Sequence, residues 1–372
     1  MTRAVVIGGG IVGLTAGLAL RQAGAEVIVC EQADEIRAAG ASLGVWSNAL
    51  AVFATLGLHD RVQDIGKPSE MYFHDNHGKI IRPDGFPAGV GDYLLVHRAK
   101  LNKLVADAIG AENIRLGARF GRYEEHDGGV TAQFADGTEI EADLLIGADG
   151  AYSVVREQLV PGAAAREHVG HHAWRAVLPP EVATAPGDVM VVGRNDSRGG
   201  YARTYDGGVF WLLSQFNAPE LTGTKKEQCL LRARDLNDGN WNPLLEELIE
   251  ATPEEAILHN QIMVVPPLPR WTSRRVALAG DSAHAMSPHI TAGASLGVED
   301  AALLARYFAD DPEHALARYE ADRIPHYEHV ATLSGAVEKS ASPAEFAQNY
   351  AAFSHWMTSQ QPVAGRELVS AR

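Results

Sequence analysis

The chain has 372 residues, of which 46% are hydrophobic and 21% are charged, a composition typical of a globular protein with two or three core-forming units. Its 32 basic and 47 acidic residues give a formal net charge of −15, which argues against nucleic acid or an anionic membrane surface as a partner. The only cysteines are Cys30 and Cys229, so no disulfide framework is indicated and the cytoplasm is the expected compartment.

The first 30 residues predict a strand, a tight turn, a helix and a second strand. They contain "VVIGGGIVGLTAGLALRQAGAEVIVC", which is too short and too rich in glycine for a membrane span or a signal peptide. Gly8 is expected to allow the turn, Gly10 to let the backbone approach a pyrophosphate, and Gly13 to let the helix pack against the strand. These positions predict a dinucleotide-binding turn.

The residues around this turn extend the prediction to the whole nucleotide. The N–H groups at the helix start, Ile11 and Val12, would face the phosphates. Glu31, with Gln32 beside it, is placed to accept hydrogen bonds from both hydroxyls of an adenosine ribose, and an acid here disfavours the 2′-phosphate of NADP. The pattern does not separate NAD from FAD, but residues 41–58 lead into turns and short strands, which favours FAD.

Two later segments place an acid after an apolar strand, and with the glycine turn they carry a family resemblance. They read "DLLIGADGAYSVVR" at residues 143–156 and "GDSAHAMSPHITAGASLGVEDA" at residues 280–301, and a weaker element, "HRAKLNKLV", lies at residues 97–105. On these motifs the chain resembles the class A FAD-dependent monooxygenases, which include para-hydroxybenzoate, salicylate and FAD-dependent urate hydroxylases.

The resemblance implies which residues hold non-covalent FAD. The Asp149–Gly150 turn would lie near the pyrophosphate and has been linked to NAD(P)H use, and Arg98 would reach FAD from the start of its helix. Alternatively, the turn is only a strand-to-helix connection with an N-cap, and the arginine only part of a solvated helix face. After Gly280, Asp281 would accept hydrogen bonds from the ribityl hydroxyls.

The loop that follows would lie beside the isoalloxazine. Pro288 ends this loop and is a candidate catalytic position. Backbone N–H groups at the next helix start would approach the N1/C2 edge of the flavin, which becomes negative on reduction; they belong to Thr291, Ala292, Gly293, Ala294 and Ser295. The nearby histidines lack a convincing metal-ligand spacing, so they are interpreted as ordinary loop or turn residues and no metal is expected; they are His168, His171, His172, His284 and His289.

The middle of the chain predicts a second architectural unit. Short strands separated by Gly, Pro and Asp turns indicate a mostly antiparallel sheet that carries the substrate pocket. We therefore expect an α/β fold with a Rossmann-like FAD-binding domain (residues 1–70, 95–165 and 266–330), a β-sheet substrate domain (71–94 and 166–265) and a C-terminal helical segment (331–372). Within this segmentation, residues 306–337 are predicted to form a helix.

Candidate substrate contacts come partly from the resemblance. In the urate hydroxylases an arginine and a tyrosine of this sheet contact the substrate, and the spacing matches Arg198 and Phe210, so the tyrosine hydroxyl is absent here. Arg198 is thus either a catalytic residue in the gap between flavin and substrate or a solvated turn arginine beside Asp196. Further candidates, each with sheet packing as the alternative, are Tyr201, Arg203, Trp211 and Trp174.

The function implied by the resemblance is an FAD-dependent monooxygenase. NAD(P)H would bind transiently and reduce FAD, O2 would add at flavin C4a, and the hydroperoxide would hydroxylate a small aromatic or heteroaromatic substrate. Two alternatives stay open: a flavin-dependent reductase or epoxidase of an isoprenoid-type substrate, and a non-catalytic FAD- or NAD-binding protein. The protein is expected to be a monomer or a homodimer. The substrate and the choice between NADH and NADPH are not indicated.

Overall fold

The computed structural model describes residues 2–36, 42–69, 73–86 and 93–369. In chain order the strands are β1 (Arg3–Ile7), β2 (Glu26–Cys30), β3 (Ser42–Val45), β4 (Gly66–Ser69), β5 (Phe73–Asp75), β6 (Ile80–Ile81), β7 (Tyr93–His97), β8 (Ile114–Arg115), β9 (Phe120–His126), β10 (Gly129–Phe134), β11 (Glu139–Ala142), β12 (Leu144–Gly147), β13 (Arg166–Leu178), β14 (Val189–Val192), β15 (Ser197–Arg203), β16 (Val209–Gln215), β17 (Leu258–Val264) and β18 (Val276–Leu278). The α-helices are α1 (Ile11–Gln22), α2 (Ser47–Thr55), α3 (His59–Asp64), α4 (Arg98–Ile109), α5 (Val154–Leu159), α6 (Lys225–Asp235), α7 (Leu244–Ala251), α8 (Asp281–His284), α9 (Gly293–Asp310), α10 (Ala315–Glu338) and α11 (Pro343–Ser359).

A five-stranded parallel sheet forms the centre of the nucleotide-binding part, with strand order β18-β12-β1-β2-β8. Strands β12 and β18 are wholly buried and apolar apart from one glycine, as expected for parallel strands covered on both faces. The register pairs Ile7 with Gly147 and Gly147 with Leu278, so β1, β12 and β18 end side by side. The three sequence motifs therefore meet at the carboxyl edge of one sheet, where ligands of open α/β sheets bind.

A seven-stranded sheet carries the middle of the chain, with strand order β17-β13-β16-β15-β14-β5-β6. Its pairs are antiparallel except for β14 with β5, which run parallel. Helices α6 and α7 cover one face, against which Trp174 and Trp211 are fully buried. Two three-stranded sheets, β11-β10-β9 and β3-β7-β4, complete the β-structure of the described residues. The predicted fold class is confirmed, whereas the domain boundaries stay a prediction.

The C-terminal part consists of helices that close over the second sheet. The helix predicted over residues 306–337 is in fact divided, because α9 ends at Asp310 and α10 begins at Ala315. Helix α11 presents Phe346, Tyr350 and Phe353 to an aromatic cluster that includes Trp46 and Phe73. Along residues 2–36, 42–69, 73–86 and 93–369, no helix is both long and apolar enough to cross a membrane.

Candidate active site

The glycine turn after β1 combines two closely packed positions with one open position. Gly8 has φ of +108°, and a Cβ there would lie 2.3 Å from the Ala148 carbonyl oxygen. A Cβ on Gly13 would lie 1.9 Å from the Gly8 carbonyl oxygen, whereas one on Gly10 would meet no atom within 4 Å. Helix α1 also starts without a side-chain cap. Uncapped N–H groups beside an open glycine fit a pyrophosphate, as predicted for Ile11.

Glu31 fixes the shape of this turn from the end of β2. Its Oε2 accepts a hydrogen bond from the Gly9 N–H at 2.6 Å, and its Oε1 accepts one from the Ala33 N–H at 2.9 Å. A Cβ on Gly9 would lie 2.8 Å from the Glu31 Cβ. The Glu31 side chain therefore leaves room only for glycine at this second position of "GGG". The sequence interpretation assigned no role to Gly9. The half-buried carboxylate fits the proposed ribose contact, and Gln32 beside it is exposed.

The Asp149–Gly150 turn joins β12 to helix α5. Asp149 Oδ2 accepts hydrogen bonds from the Val154 and Val155 N–H groups at 2.8 and 3.3 Å, and burial raises its pKa. Ser153 caps the same helix by accepting from the Arg156 N–H. The predicted strand-to-helix connection with an N-cap is therefore present. The contact of this turn with the cofactor stays a prediction.

The Gly280–Asp281 turn follows β18 and packs directly against helix α1. Gly280 has φ of +62°, and a Cβ on it would lie 2.8 Å from the Val12 side chain. The side chain of Val12 also packs against Gly297. Val12 is a predicted cofactor contact, and with its side chain occupied it offers FAD only its backbone. Asp281 is exposed, and its Oδ1 lies 3.7 Å from where a Cβ on Gly293 would be. An exposed carboxylate beside a glycine fits the predicted ribityl contact.

A buried ion-pair network lies beneath this turn, and the sequence interpretation missed it. Asp300 accepts hydrogen bonds from the Gly280 N–H at 2.9 Å, from His284 Nε2 at 2.6 Å and from Arg323 Nε at 2.7 Å. Although burial opposes ionisation, the Arg323 guanidinium and His284 hold the Asp300 pKa far below its usual range. Arg323 also pairs with Glu299 at 3.1 Å. Two adjacent acids, Glu299 and Asp300, within the otherwise uncharged residues 293–305 of helix α9 were the available signal.

The segment predicted to contact the flavin ring is held by a tryptophan from another part of the chain. Thr291 adopts a left-handed conformation with φ of 54°, and Ala292 and Ser295 behind it are buried. The Trp46 N–H donates to Ser295 Oγ at 3.1 Å, and its indole Nε1–H donates to the Thr291 carbonyl at 3.2 Å. Ala294 and Ser295 also line an internal apolar space with Ile11. Pro288 is exposed and opens the 3-10 turn that precedes the segment.

Arg98 is the first residue of helix α4, as predicted, and its side chain is exposed. The structure places it near Arg175 of β13, whose pKa is lowered by burial and by the charge of Arg98. Neither arginine forms an ion pair within the described ranges of the chain. Two cations without a carboxylate between them leave Arg98 available to an anionic group, in keeping with its predicted role.

Arg198 is buried between two aromatic rings. Its side chain is only 8% exposed, which corrects the alternative of a solvated turn arginine. The guanidinium carbon lies 4.6 Å from the centre of Phe216 and 4.3 Å from the centre of Phe346. Nη2 donates to the Glu338 carbonyl at 3.3 Å, whereas the buried Nη1 has no partner in the described structure. Burial lowers the Arg198 pKa to about 10, so the side chain stays charged at neutral pH.

The strand register separates Arg198 from most of the other predicted substrate contacts. Arg198 pairs with Ser214, whereas Tyr201 pairs with Trp211, and an odd offset turns their side chains to the opposite face of the sheet. There Tyr201 donates to Asn242 and Trp211 donates to Thr252, against helices α6 and α7. The structure therefore agrees with sheet packing, the alternative given for Tyr201, Trp211 and Trp174, on the face of the sheet away from Arg198.

Two further candidates also lie away from the guanidinium. Arg203 shares the strand face of Tyr201 and is exposed at the end of β15. Phe210 shares the face of Arg198, but it lies four residues beyond Ser214, about 13 Å further along the strand. The rings that do contact Arg198, Phe216 and Phe346, were not predicted.

Three of the five histidines named from the sequence lie in the two parts of the site. His284 belongs to the network beneath the Gly280–Asp281 turn, while His171 and His289 lie with Arg198 and Phe216. Within the part of the chain that the structure describes, His, Cys, Asp and Glu side chains form no group of three or more placed to hold a metal ion.

The fold and the three adjoining strand ends define a Rossmann-type protein with a dinucleotide site at the carboxyl edge of its parallel sheet. The family described as FAD binding domain matches residues 1–334, and the chain belongs to this family. FAD-dependent urate hydroxylase from Klebsiella pneumoniae is 32% identical over 337 residues, with 86% of this chain and 85% of the relative covered. 6-Hydroxynicotinate 3-monooxygenase from Pseudomonas fluorescens is 31% identical over 357 residues, with 89% and 90% covered.

A solved structure agrees with this family over the whole fold. Klebsiella pneumoniae HpxO complexed with FAD and uric acid superimposes with a TM-score of 0.77 at 25% identity, covering 95% of this chain and 93% of that chain. The predicted resemblance and the FAD cofactor are thereby confirmed, and the chain is an FAD-dependent monooxygenase, an oxidoreductase. NAD(P)H as the co-substrate is typical of the family.

Proposed function

We propose that this monooxygenase hydroxylates a small, planar aromatic or heteroaromatic substrate that carries negative charge, and that Arg198 holds the substrate. The supporting observation is the buried Nη1 of Arg198, a cationic donor without a partner among the described residues. A buried donor that stays unpaired costs about 1–3 kcal/mol, and more when charged, so an acceptor on a ligand would relieve this cost. A carboxylate, phenolate or ring-nitrogen anion would meet that need.

The surroundings of Arg198 support a flat ring as the rest of the substrate. Phe216 and Phe346 flank the guanidinium, and the loop of Ser287 and Pro288 lies on the side of the glycine-rich flavin segment. Aromatic walls favour a planar apolar body with one charged edge. Urate and 6-hydroxynicotinate, which name two of the relatives, are anions of planar nitrogen heterocycles.

The proposed division of labour assigns redox chemistry to FAD and orientation to the protein. When bound and reduced by NAD(P)H, FAD would supply the electrons that activate O2 for hydroxylation. Glu31, Arg98, Asp281 and the uncapped start of α1 would hold the cofactor. Arg198 would fix the substrate edge so that one ring carbon faces the flavin, while Phe346 of α11 keeps water from the guanidinium.

The other two functions have less support. An isoprenoid epoxidase or reductase has no evident use for a buried guanidinium whose Nη1 lacks a partner among the described residues. A non-catalytic binding protein would not oxidise NAD(P)H with oxygen. Oxygen-dependent oxidation of NAD(P)H that is stimulated by substrate therefore separates the monooxygenase from both alternatives.

The test is a panel of matched ring compounds given to the purified FAD-loaded enzyme. Each small aromatic or heteroaromatic acid is paired with its neutral amide, and NAD(P)H oxidation, peroxide and hydroxylated product are measured. We expect the acid of at least one pair to stimulate NAD(P)H oxidation and to yield product, while its amide does so much more weakly. Equal product from acids and amides would contradict the proposed role of Arg198.

We also propose the cytoplasm as the compartment, with a monomer or a homodimer as the assembly. Both cysteines are free and buried, and burial raises the pKa of each thiol to about 12, so neither is prepared for a disulfide. Light scattering on the purified protein would determine the oligomeric state.

A further inference from the structure

A continuous chain of hydrogen bonds links the second sheet to helix α10 beside the Arg198 site. Ser214 Oγ on β16 lies 2.7 Å from His171 Nε2, and His171 Nδ1 lies 3.2 Å from Ser287 Oγ. Ser287 Oγ lies 2.6 Å from His289 Nδ1, and His289 Nε2 lies 3.1 Å from the Ser334 carbonyl oxygen. The chain therefore passes through the loop that contains Pro288.

The last partner favours one direction for the hydrogen bonds in this chain. A carbonyl oxygen can only accept, and the Ser334 carbonyl oxygen is nearer to His289 Nε2, at 3.1 Å, than the Ser334 hydroxyl, at 3.4 Å. We therefore assign the proton of His289 to Nε2, which leaves a bare Nδ1. Ser287 then donates its O–H to His289, and its oxygen is left to accept from His171 Nδ1–H. His171 in turn presents a bare Nε2, which accepts from the Ser214 hydroxyl.

The direction requires both imidazoles to be neutral, and their surroundings make them so. His171 is fully buried, and burial is the main reason that its pKa is lowered to about 2. Burial and the Arg198 guanidinium lower the His289 pKa to about 4. Neither ring is protonated at neutral pH, and each therefore has one donor and one acceptor.

The chain ends in a way that excludes net proton transfer along it. The Ser334 carbonyl cannot take up a proton, and His289 has no other acceptor that leads to solvent among its hydrogen bonds in the described structure. What the chain can do is hold the loop at a fixed distance from the sheet. Its central hydroxyl belongs to Ser287, the residue before Pro288.

The same chain is in contact with the walls of the Arg198 site. His171 stacks on Phe216 with ring centres 3.8 Å apart, and His289 meets the same ring edge-on at 5.5 Å. The Arg198 guanidinium lies 4.6 Å from the Phe216 centre. A shift of Ser287 would therefore move the two histidines that support Phe216.

We propose that Ser287 is a positioning residue for hydroxylation: by donating to His289 and accepting from His171, it sets the Pro288 loop relative to Arg198. This inference rests on the proposed function of Arg198 as the substrate anchor. The loop lies between the flavin segment and the substrate region, so the hydroxyl of Ser287 determines how closely the two approach. Replacing it leaves a buried N–H of His171 and a buried lone pair of His289 facing each other without a partner.

The direction of the chain is tested by nitrogen NMR of the FAD-loaded protein with ¹⁵N-labelled histidine. Long-range proton–nitrogen correlations distinguish the two neutral tautomers, and His171→Gln and His289→Gln variants assign the signals. We expect the Nδ1–H form for His171 and the Nε2–H form for His289 from pH 6.5 to pH 8. The opposite tautomer in either ring, or a charged ring at pH 7, would contradict the proposed direction of the hydrogen-bond chain. This result does not depend on which substrate the enzyme uses.

The positioning role is tested with three variants that are closely matched. Ser287→Ala removes the central hydroxyl, Ser287→Thr keeps it, and Ser334→Ala removes a hydroxyl while leaving the carbonyl that ends the chain. We expect Ser287→Ala to bind FAD like the wild type but to lose about tenfold in product formed per NAD(P)H, with the remainder appearing as hydrogen peroxide. Ser287→Thr should restore most of the ratio, and Ser334→Ala should retain it.

The outcomes separate the two proposals. Wild-type coupling in Ser287→Ala, with both tautomers as expected, would overturn the positioning role and leave the proposed function intact. If no charged aromatic compound is hydroxylated by the wild type, the proposed function fails. The histidine tautomers still decide whether the hydrogen-bond chain has the proposed direction.

Discussion

The guanidinium of Arg156 donates to the carbonyl oxygen of Ser282 over 3.2 Å and so connects two turns that are 126 residues apart in the chain. The same side chain donates to the Ala151 carbonyl at 2.7 Å and to the Ala163 carbonyl at 2.7 Å, and it is fully buried. Arg156 therefore holds the Asp149–Gly150 turn against the turn that contains Asp281. Both turns are predicted cofactor contacts, so Arg156 contributes, together with the pairing of β12 and β18, to their relative position.

Replacing Arg156 with lysine should destabilise the protein and weaken FAD binding together. Lysine keeps the charge but cannot reproduce three bonds in different directions, and it leaves buried carbonyl groups without donors. We expect a loss of about 2–4 kcal/mol in the free energy of unfolding, measured with urea. Arg270→Lys is the matched control because Arg270 donates one bond, to the Leu159 carbonyl, and it should cost much less. Equal losses in both variants would contradict the connecting role.

Replacing Glu31 with alanine should weaken FAD binding by about 1.5–3 kcal/mol, the range for hydrogen bonds to a charged group. The variant loses the ribose contact and also the bond that fixes the Gly9 N–H. Titration of the yellow cofactor into apoprotein measures the change, and heat denaturation should release FAD from the wild type because the attachment is non-covalent. The control is Glu26→Ala, because Glu26 is exposed and lies at the start of the same strand, β2. An unchanged FAD affinity in Glu31→Ala would remove this residue from the cofactor site.

Replacing Arg198 with alanine should leave the FAD content unchanged while hydroxylation falls. Misplacing a reacting group by about 1 Å can cost on the order of a hundredfold, so product formation should drop sharply while peroxide release rises. Stopped-flow reduction and product-to-NAD(P)H ratios measure the two effects. Arg203→Ala is the control, since Arg203 lies on the same strand but is exposed. Wild-type coupling without the Arg198 guanidinium would show that the substrate is anchored elsewhere.

Stability should fall as the pH drops below about 6.5, because three buried histidines resist protonation. The native pKa is lowered from 6.5 to about 4 for His289, mainly by burial and Arg198, and to about 2 for His171 and His326, again mainly by burial. Below pH 6.5 the unfolded chain therefore binds more protons, whereas above it this contribution to stability is complete. Each histidine then contributes a slope of up to about 1.4 kcal/mol per pH unit.

Urea unfolding at constant excess FAD between pH 7.5 and pH 5 measures that slope. His289→Gln should reduce the slope of the unfolding free energy against pH by the contribution of one histidine. Replacement of the exposed His59 is the control. A flat profile in the wild type over this range would contradict the neutral, buried state of the histidines.

The nucleotide-binding part of the fold was predictable because its signals are local. The turn at Gly8, the helix Ile11–Gln22 and the acid at Glu31 lie within one short stretch, and Gly8 and Gly13 make backbone contacts that any side chain would block. The matching family and the confirmed FAD cofactor agree with this local pattern.

The substrate region was less predictable because its contacts join distant segments. Arg198 stands beside Asp196 in the sequence and resembles a solvated turn residue, but its burial comes from Phe346, which lies on a helix far along the chain. The sheet face of Tyr201 and Trp211 was predictable, since both occupy odd positions on strands where Arg198 and Ser214 occupy even ones. Strand alternation alone would have put them on the helix-covered face.

The position of β18 at the edge of the parallel sheet has a consequence for biosynthesis. Within the parallel sheet this three-residue strand pairs with β12, and the turn after it contains Asp281, a predicted cofactor contact. A chain that is still emerging from the ribosome can assemble β1, β2 and β12 long before Val276 is available. FAD should therefore be captured late in synthesis, when the last strand joins, and fragments that end before β18 should expose the apolar edge of β12 to chaperones or to aggregation.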